Sequence, residues 1–306
     1  MKCIKILDQK AERWVNTLFS GIALIIGLLS FSAFSKPVQA EQIWTGSSIM
    51  NEVFKRHDLF PYIFEDQTII LTDDAGNYDV RKARRFSRVE KNGTVKYLLI
   101  FDNPPEVCGV ALLAIRQNSG GVESWIYLPA SGKKMKSNAR EGGGNHVLGT
   151  DFTIEDLEGE VLSNFRYVRM ADRKIDKIDY FVVEAFPQDE KIKRSTGYSL
   201  RRFFIQQDNF SIIRIDYFNR RGRFIKRQTR CNLKRVDDDM WCADMILMEN
   251  YRERHKTLIK INRRVFSHDY VPPEMFTSAW LLENRHVQTT ERLLFMNITK
   301  TYREDK

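Results

Sequence analysis

The chain has 306 residues, with 49 Lys and Arg against 40 Asp and Glu, a net charge of +9 and four cysteines. Once a leader is removed, that length suits one β-rich domain and requires no second. No two cysteines show metal-finger spacing, which argues against a zinc site, and the basic balance is not read as nucleic-acid binding because the N-terminus marks the chain for export.

That N-terminus carries Lys2, Lys5, Lys10 and Arg13 ahead of an uncharged run from Trp14 to Ser35. Val38 and Ala40 then supply the small residues of a cleavage site before Glu41. This is the pattern of a secretory signal peptide over residues 1–40, and it places the mature chain in the periplasm. The run is also just long enough for an uncleaved anchor, which needs about 20 residues. Residues 41–284 are read as one domain, and residues 285–306 as a C-terminal extension of unassigned structure.

Thr45 to Asp58 reads as an amphipathic helix with Ile49, Val53 and Phe54 on one stripe and Thr45 or Ser47 as its cap. After Pro61 the period changes to two. Gln67–Thr72 and Tyr78–Glu90 flank a hairpin turn at residues 73–77. Val95, Tyr97, Leu99 and Phe101 alternate with polar residues, although Leu98 and Ile100 blur the other face. Asn103-Pro104-Pro105 ends that strand, and Gly109 to Arg116 starts the next.

The stretch from Trp125 to Gly159 reads as a strand broken at Pro129, a short basic strand, a glycine loop at Gly142 to Gly144 and a capped helical turn. It suggests a corner in the sheet that receives a short helical plug. Thr153 with Asp156 three positions on forms a capping box, with Phe152 as the hydrophobic staple, and Gly149 serves a positive φ or a close backbone approach. Gly149, Thr150, Asp151, Phe152, Thr153 and Asp156 are thus a plug with an architectural role, or a mobile gate over a cavity mouth.

Beyond it, Leu162–Met170, Asp179–Phe186, Tyr198–Gln207, Ser211–Phe218, Phe224–Val236, Met240–Glu249 and Lys256–Arg264 read as strands, separated by turn residues such as Gln188-Asp189 and Asn219 to Gly222. Alternation is cleanest where Ile213, Ile215 and Tyr217 oppose Arg214 and Asp216. Short, even connections argue for an up-and-down antiparallel sheet that must curl or close. Tyr180 to Val183 and Arg202 to Ile205 are apolar on both faces, which suggests incomplete closure around a space that side chains do not fill. Cys231 and Cys242 flank the Asp237 to Asp239 turn and are a disulfide candidate; Cys108 is left over and is read as a small buried residue.

Gly109-Val110-Ala111-Leu112-Leu113 after Asn103-Pro104-Pro105, Trp125-Ile126-Tyr127-Leu128-Pro129-Ala130 and Gly149-Thr150-Asp151-Phe152-Thr153-Ile154-Glu155-Asp156-Leu157 together resemble the outer-membrane lipoprotein-sorting proteins related to LolA. The resemblance covers roughly Glu41 to Leu282, including the Tyr217 to Gly222 turn and the close from Phe266 to Leu282. It implies a mainly β chain with a few helices: a strongly curved antiparallel half-barrel, helices over its open side, a hydrophobic cavity between them and no catalysis. It also implies an acylated lipoprotein or lipid as cargo, a peripheral encounter with membranes, and an outer-membrane acceptor or an inner-membrane transporter of the resistance-nodulation-division (RND) type as partner. The other reading it leaves open is an accessory or adaptor protein of such an exporter without lipid transfer of its own. Two departures are the glycine-rich Glu141 to Asn145 loop and the extension after Asn284, whose Leu293 to Met296 suggests a further strand or a lid.

A carrier makes physical sense from the residues alone, because each acyl methylene buried is worth about 0.8 kcal/mol. Lipid-lining candidates are Leu99, Phe101, Trp125, Tyr127, Phe152, Phe204, Ile213, Ile215, Tyr217 and Leu247, with filled core as the plainer reading of each. An enzyme finds little support. His146 and Asp151 lie beside Glu141 and Glu155, yet no metal-pair spacing and no Gly-x-Ser-x-Gly elbow occurs, and His57, His255, His268 and His286 stand singly. No catalytic residue, metal or cofactor is assigned. The dense basic runs Arg81 to Arg88 and Arg220 to Arg230 are read as a solvated outer face, or as a surface for anionic head groups or an acidic membrane partner.

Overall fold

A computed structural model describes residues 44–57, 60–118, 122–129, 133–137, 146–158, 160–236 and 240–283. Residues 1–43, with the expected signal peptide, the expected Glu141 to Asn145 loop and Asp237 to Asp239 turn, and the extension from Asn284 lie outside the described residues. Helix α1 (Gly46–His57) starts on a reciprocal cap. Thr45 Oγ1 accepts the Ser48 amide at 3.1 Å, and Ser48 Oγ accepts the Thr45 amide at 2.8 Å. Two arms of strands follow. The first is β1 (Tyr62–Thr72), β2 (Tyr78–Val89), β3 (Val95–Asn103), β4 (Ala111–Arg116), β5 (Val122–Leu128) and β6 (Lys133–Ser137). After the short helix α2 (Ile154–Glu158) comes the second: β7 (Phe165–Arg169), β8 (Arg173–Ile175), β9 (Ile178–Pro187), helix α3 (Glu190–Ser195), β10 (Tyr198–Gln206), β11 (Ile212–Asn219), β12 (Phe224–Arg235), β13 (Trp241–Asn250) and β14 (His255–Val265). Helix α4 (Ser278–Leu282) is the last element described.

All the strands form one antiparallel sheet in the order β6-β5-β4-β3-β2-β1-β14-β13-β12-β11-β10-β9-β7, with β8 attached to β9. Each arm runs up and down, and the arms join in the middle where β1 pairs with β14. Among the described residues strands β6 and β7 are the edges, and the sheet does not close. The expected corner at Trp125 to Gly159 is instead the hairpin pair β5 and β6 at one edge of the sheet, and the chain enters the opposite edge at Phe165. Helix α3 also departs from expectation: the Asp189 side chain accepts the Ile192 amide at 2.8 Å, so the turn chemistry of Gln188-Asp189 is a helix N-cap.

Two arginines measure the curvature. Arg201 on β10 and Arg116 on β4 both reach Glu160, at 2.9 Å to its carboxylate and 3.1 Å to its carbonyl. Eight strand spacings separate β4 from β10, roughly 38 Å across a flat sheet at about 4.8 Å each. Two side chains cannot span that gap, so the sheet wraps round the segment that holds Glu160.

Directly paired residues share a face, so the register carries each face across the whole sheet. The inner face contains Leu112, Leu99, Arg85, Glu65 and Arg264, and then, past a one-residue bulge between Asp66 and Gln67, Ile261 and Ile259, followed by Ile246, Arg230, Ile215, Phe203 and Val183. The outer face of β1 to β5 presents Phe64, Phe86, Leu98, Ile100, Leu113 and Tyr127 to the closing segment, where Val271, Met275, Phe276, Trp280 and Leu281 bury them. Leu98 and Ile100 thus blur the strand pattern because β3 is covered on both sides.

The Thr277 hydroxyl caps α4 by accepting the Trp280 amide at 3.2 Å, and this seats the indole against the sheet. Trp280→Ala should therefore lower unfolding stability by about 3–5 kcal/mol, read from urea denaturation; a loss under about 1 kcal/mol would mean that the closing segment does not support the first arm.

Candidate functional site

Residues 146–158 and Glu160 lie against the inner face, where Val147 and the run from Thr150 to Ile154 are buried and their backbone groups need partners. Several strands supply them. Arg81 on β2 donates to the Leu148 carbonyl, which Leu148 and Gly149 present from left-handed backbone at φ 48° and 78°. Thr257 on β14 accepts the Asp151 amide at 2.9 Å and donates to the Asp151 carboxylate at 2.7 Å. Lys226 on β12 donates to the Asp151 carbonyl at 3.2 Å and pairs with the Asp156 carboxylate. Asp156 accepts the Tyr198 hydroxyl at 2.8 Å and the Thr153 amide at 2.7 Å, while Thr153 Oγ1 accepts the Asp156 amide at 3.3 Å. That last exchange is the capping box foreseen from the sequence. Phe152 is 2% exposed.

Beside the plug a cavity opens between α1 and strands β10 to β13. It encloses about 170 Å³, less than the roughly 300–1,000 Å³ of a cleft that takes a whole drug-sized ligand. Val53 and Phe54 of α1, Phe203, Phe210, Ile212, Ile215, Leu233, Met240 and Ala243 make its apolar wall. Glu155, Glu160, Arg201, Tyr217, Gln228 and Arg230 make its polar wall. Burial pushes the Glu160 carboxyl above its ordinary range, although Arg201 and the donated Tyr167 hydroxyl pull it back. Burial also raises the Tyr198 and Tyr217 hydroxyls well above theirs, with the Asp156 charge adding to the effect. Both therefore remain neutral donors.

Among the expected lining residues, Ile215 and Tyr217 line this cavity. Leu99 and Phe101 are buried on the same inner face, and Phe152 is in the plug. Four others are elsewhere. Trp125 and Tyr127 belong to the outer cluster under the closing segment. Phe204 faces outward beneath the Arg214 guanidinium, 4.3 Å from its ring centroid. Leu247, opposite Thr229 and Leu258, is also on the outer face. Ile213 stands at a register shift, where Phe204 pairs with Arg214 but Ile205 pairs with Ile212. The extra residue flips the alternation, so Ile212 takes the place in the wall.

Other expectations are also corrected. Cys242 is a free, buried thiol, so the Cys231–Cys242 disulfide is not formed. The register shows why: Cys231 faces Met245 and Cys242 faces Lys234, three rungs and about 10 Å apart, whereas bridged Cα atoms lie about 4.4–6.8 Å apart. Cys108 is exposed rather than buried. The basic run on β2 is no solvated face, since Arg84 and Arg88 are buried and Arg84, Arg85 and Arg88 pair with Asp102, Glu65 and Glu90. His255 is not solitary, as its Nδ1 lies 2.7 Å from Asp151 Oδ2. Thr257 hydrogen-bonds that same oxygen. Its hydroxyl does not address the other imidazole nitrogen, as a nucleophilic triad requires, so the trio works as a clasp on the plug. Among the described residues no group of three His, Cys, Asp or Glu could hold a metal ion.

Sequence reasoning missed Arg201, Glu160 and Gln228, and saw Arg230 only as the end of a basic run read as outer surface. Strand β12 is polar on both faces from Lys226 to Arg230, so alternation could not show which of its cations turn inward. The inner face also carries Glu65 between Arg85 and Arg264, at 3.1 and 2.7 Å. Burial alone would raise this carboxyl, but the two guanidiniums outweigh it and bring its pKa down to about 2.

Residues 93–283 match the profile of a family described as uncharacterized-protein-like. No curated protein matches the chain. Among solved structures, it is similar to a domain described as an outer membrane lipoprotein-sorting protein from Vibrio parahaemolyticus, with a TM-score of 0.72 at 24% identity over 78% of this chain and 98% of that one. A DUF1329 family protein from Desulfovibrio piger follows, with a TM-score of 0.70 at 19% identity over 77% and 97%. A LolA superfamily protein from Nitrosomonas europaea has a TM-score of 0.61 at 16% identity over 78% and 100%.

Two outcomes follow from this geometry. Phe152→Ala should cost about 3–5 kcal/mol in urea unfolding, as expected of a plug; a near-neutral variant with altered lipid exchange would mark a gate. Glu65 has a folded pKa below its unfolded value, so its stabilisation is present above about pH 4.5 and is lost as pH falls towards 2. Measured against Glu65→Gln, the wild-type advantage should be about 3 kcal/mol at neutral pH and shrink through that window; an advantage independent of pH would contradict the assignment.

Proposed function

The chain belongs to the uncharacterized-protein-like family whose profile spans residues 93–283, and we propose that it is a non-enzymatic carrier of acyl chains with a LolA-like fold. It works in the periplasm, where it shields the chains of a lipoprotein or a lipid between an inner-membrane donor and an outer-membrane acceptor. The observation that carries this reading is the open, largely apolar cavity between α1 and β10 to β13, on the inner face of a sheet whose outer face is filled along β1 to β5. Every acyl methylene taken into it contributes about 0.8 kcal/mol. A carrier also needs a wall that stays put while cargo comes and goes, and the plug clamped by Asp151, Asp156 and Glu160 supplies one.

The relatives of this fold include a domain described as lipoprotein-sorting, which agrees with an acylated cargo. Residues 1–40 would serve as the export signal. Ala243 is small and sits in the apolar wall, so a larger side chain there narrows the cavity without touching the polar clamp.

Protein isolated from its host should carry co-purified lipid, detected by mass spectrometry, and after delipidation should bind a fluorescent fatty acid. Ala243→Phe should weaken that binding at least about tenfold, equivalent to about 1.4 kcal/mol. If the delipidated protein bound no probe, the carrier reading would fall and an RND-exporter accessory without lipid transfer would take its place.

A further inference from the structure

The inner face is rich in cations, and nearly all have a counter-charge. Lys226 has Asp156, Arg201 has Glu160 and Glu155, Arg85 and Arg264 share Glu65, and Arg56 of α1 has Glu52. Arg230 differs. It lines the cavity from β12, and among the described residues no carboxylate or carbonyl pairs with it. Its Nε is shut off from solvent with no acceptor. Its charged and polar neighbours are the Tyr217 hydroxyl, the Cys242 thiol and, as a like charge, the Arg85 guanidinium.

A guanidinium cannot relieve this situation by losing its proton. Burial pulls the Arg230 pKa below the ordinary arginine value, opposed less strongly by Tyr217 and Cys242 and by no carboxylate. The side chain as a whole is half-buried, so its charge is only partly hydrated and has no counter-charge among the described residues, and an anion arriving in the cavity would supply one. Tyr217 stands next to it on the wall, a neutral donor whose hydroxyl bonds no described residue. Gln228 Oε1 and Arg201 Nε, on the same wall, are also buried and unpartnered. Phe203, Ile215 and Met240 adjoin them with apolar surface. The planar fork of an arginine takes a carboxylate or a phosphate through two parallel hydrogen bonds.

We propose that Arg230, with the Tyr217 hydroxyl, binds the anionic head group of an acidic lipid, carboxylate or phosphate, whose acyl chain fills the apolar wall beside it. The proposal rests on the carrier reading and narrows its cargo: an acidic lipid satisfies the site, whereas an acylated peptide N-terminus brings no anion to it.

The test uses delipidated protein from its host and three probes: palmitate, hexadecanol of the same chain length, and inorganic phosphate. Wild type should bind palmitate at least about tenfold more tightly than hexadecanol, and palmitate should raise its thermal midpoint. Arg230→Gln should lose the preference, while its lipid-free midpoint stays at or above that of wild type, because a half-buried charge without a counter-charge has been removed. A preference that survives in R230Q overturns the proposal, as does a lipid-free R230Q that melts several degrees lower, which would make Arg230 part of the scaffold. Inorganic phosphate binding as tightly as palmitate would assign the site to a free anion and overturn the lipid. Wild type that binds palmitate and hexadecanol equally removes the anion site alone, whereas wild type that binds neither removes the carrier reading with it.

Discussion

Buried charges on the inner face of the sheet hold the structure in its shape. A chain that leads from one edge of a wide curved sheet towards the other must lay polar backbone over a surface that is otherwise apolar, and that backbone demands partners. Lys226 and Asp156 meet with side chains only 3% and 0% exposed, and Arg201 and Arg116 converge on Glu160 from opposite arms. Each pair is expensive to desolvate and more expensive to break. The same pairs fix how far the arms curl towards each other, and with that the width of the cavity beside α1.

The two faces of the sheet have different tasks. On β1 to β5 the outer face is covered by the closing segment around Trp280. Farther along, on β10 to β12, it is finished with guanidiniums laid over rings, such as Arg214 on Phe204 and Arg202 on Phe218, tied by Asp216 and Glu184. This arrangement covers aromatic surface without a helix, since the arginine stem is apolar and the charge stays near water. Open space is left on the inner face, where α1 and the plug meet the second arm.

Strand positions were legible because period-two runs are bounded by turn residues, and the β12 to β14 limits agree with the reading to within one residue. The order of strands was not, since the β1–β14 pairing and the passage between edges depend on contacts remote in sequence. Ile215 and Tyr217 could be placed in the cavity because β11 alternates cleanly there, while Ile213 was lost to a bulge that leaves no mark in composition. Trp125, Tyr127 and Phe204 misled for one shared reason: when both faces are covered, hydrophobicity no longer says which face is inside. Arg230 was hidden by the converse, a strand polar on both faces.

The central claim is that acyl chains occupy the inner cavity. Methyl NMR with a spin-labelled stearic acid tests it most directly, because the label broadens signals close to it. The account predicts broadening at Ile212, Ile215 and Met240, with Leu98, Leu113 and Leu281 of the outer cluster unaffected. Broadening confined to the outer cluster, or absent at a saturating concentration of the label, would contradict it.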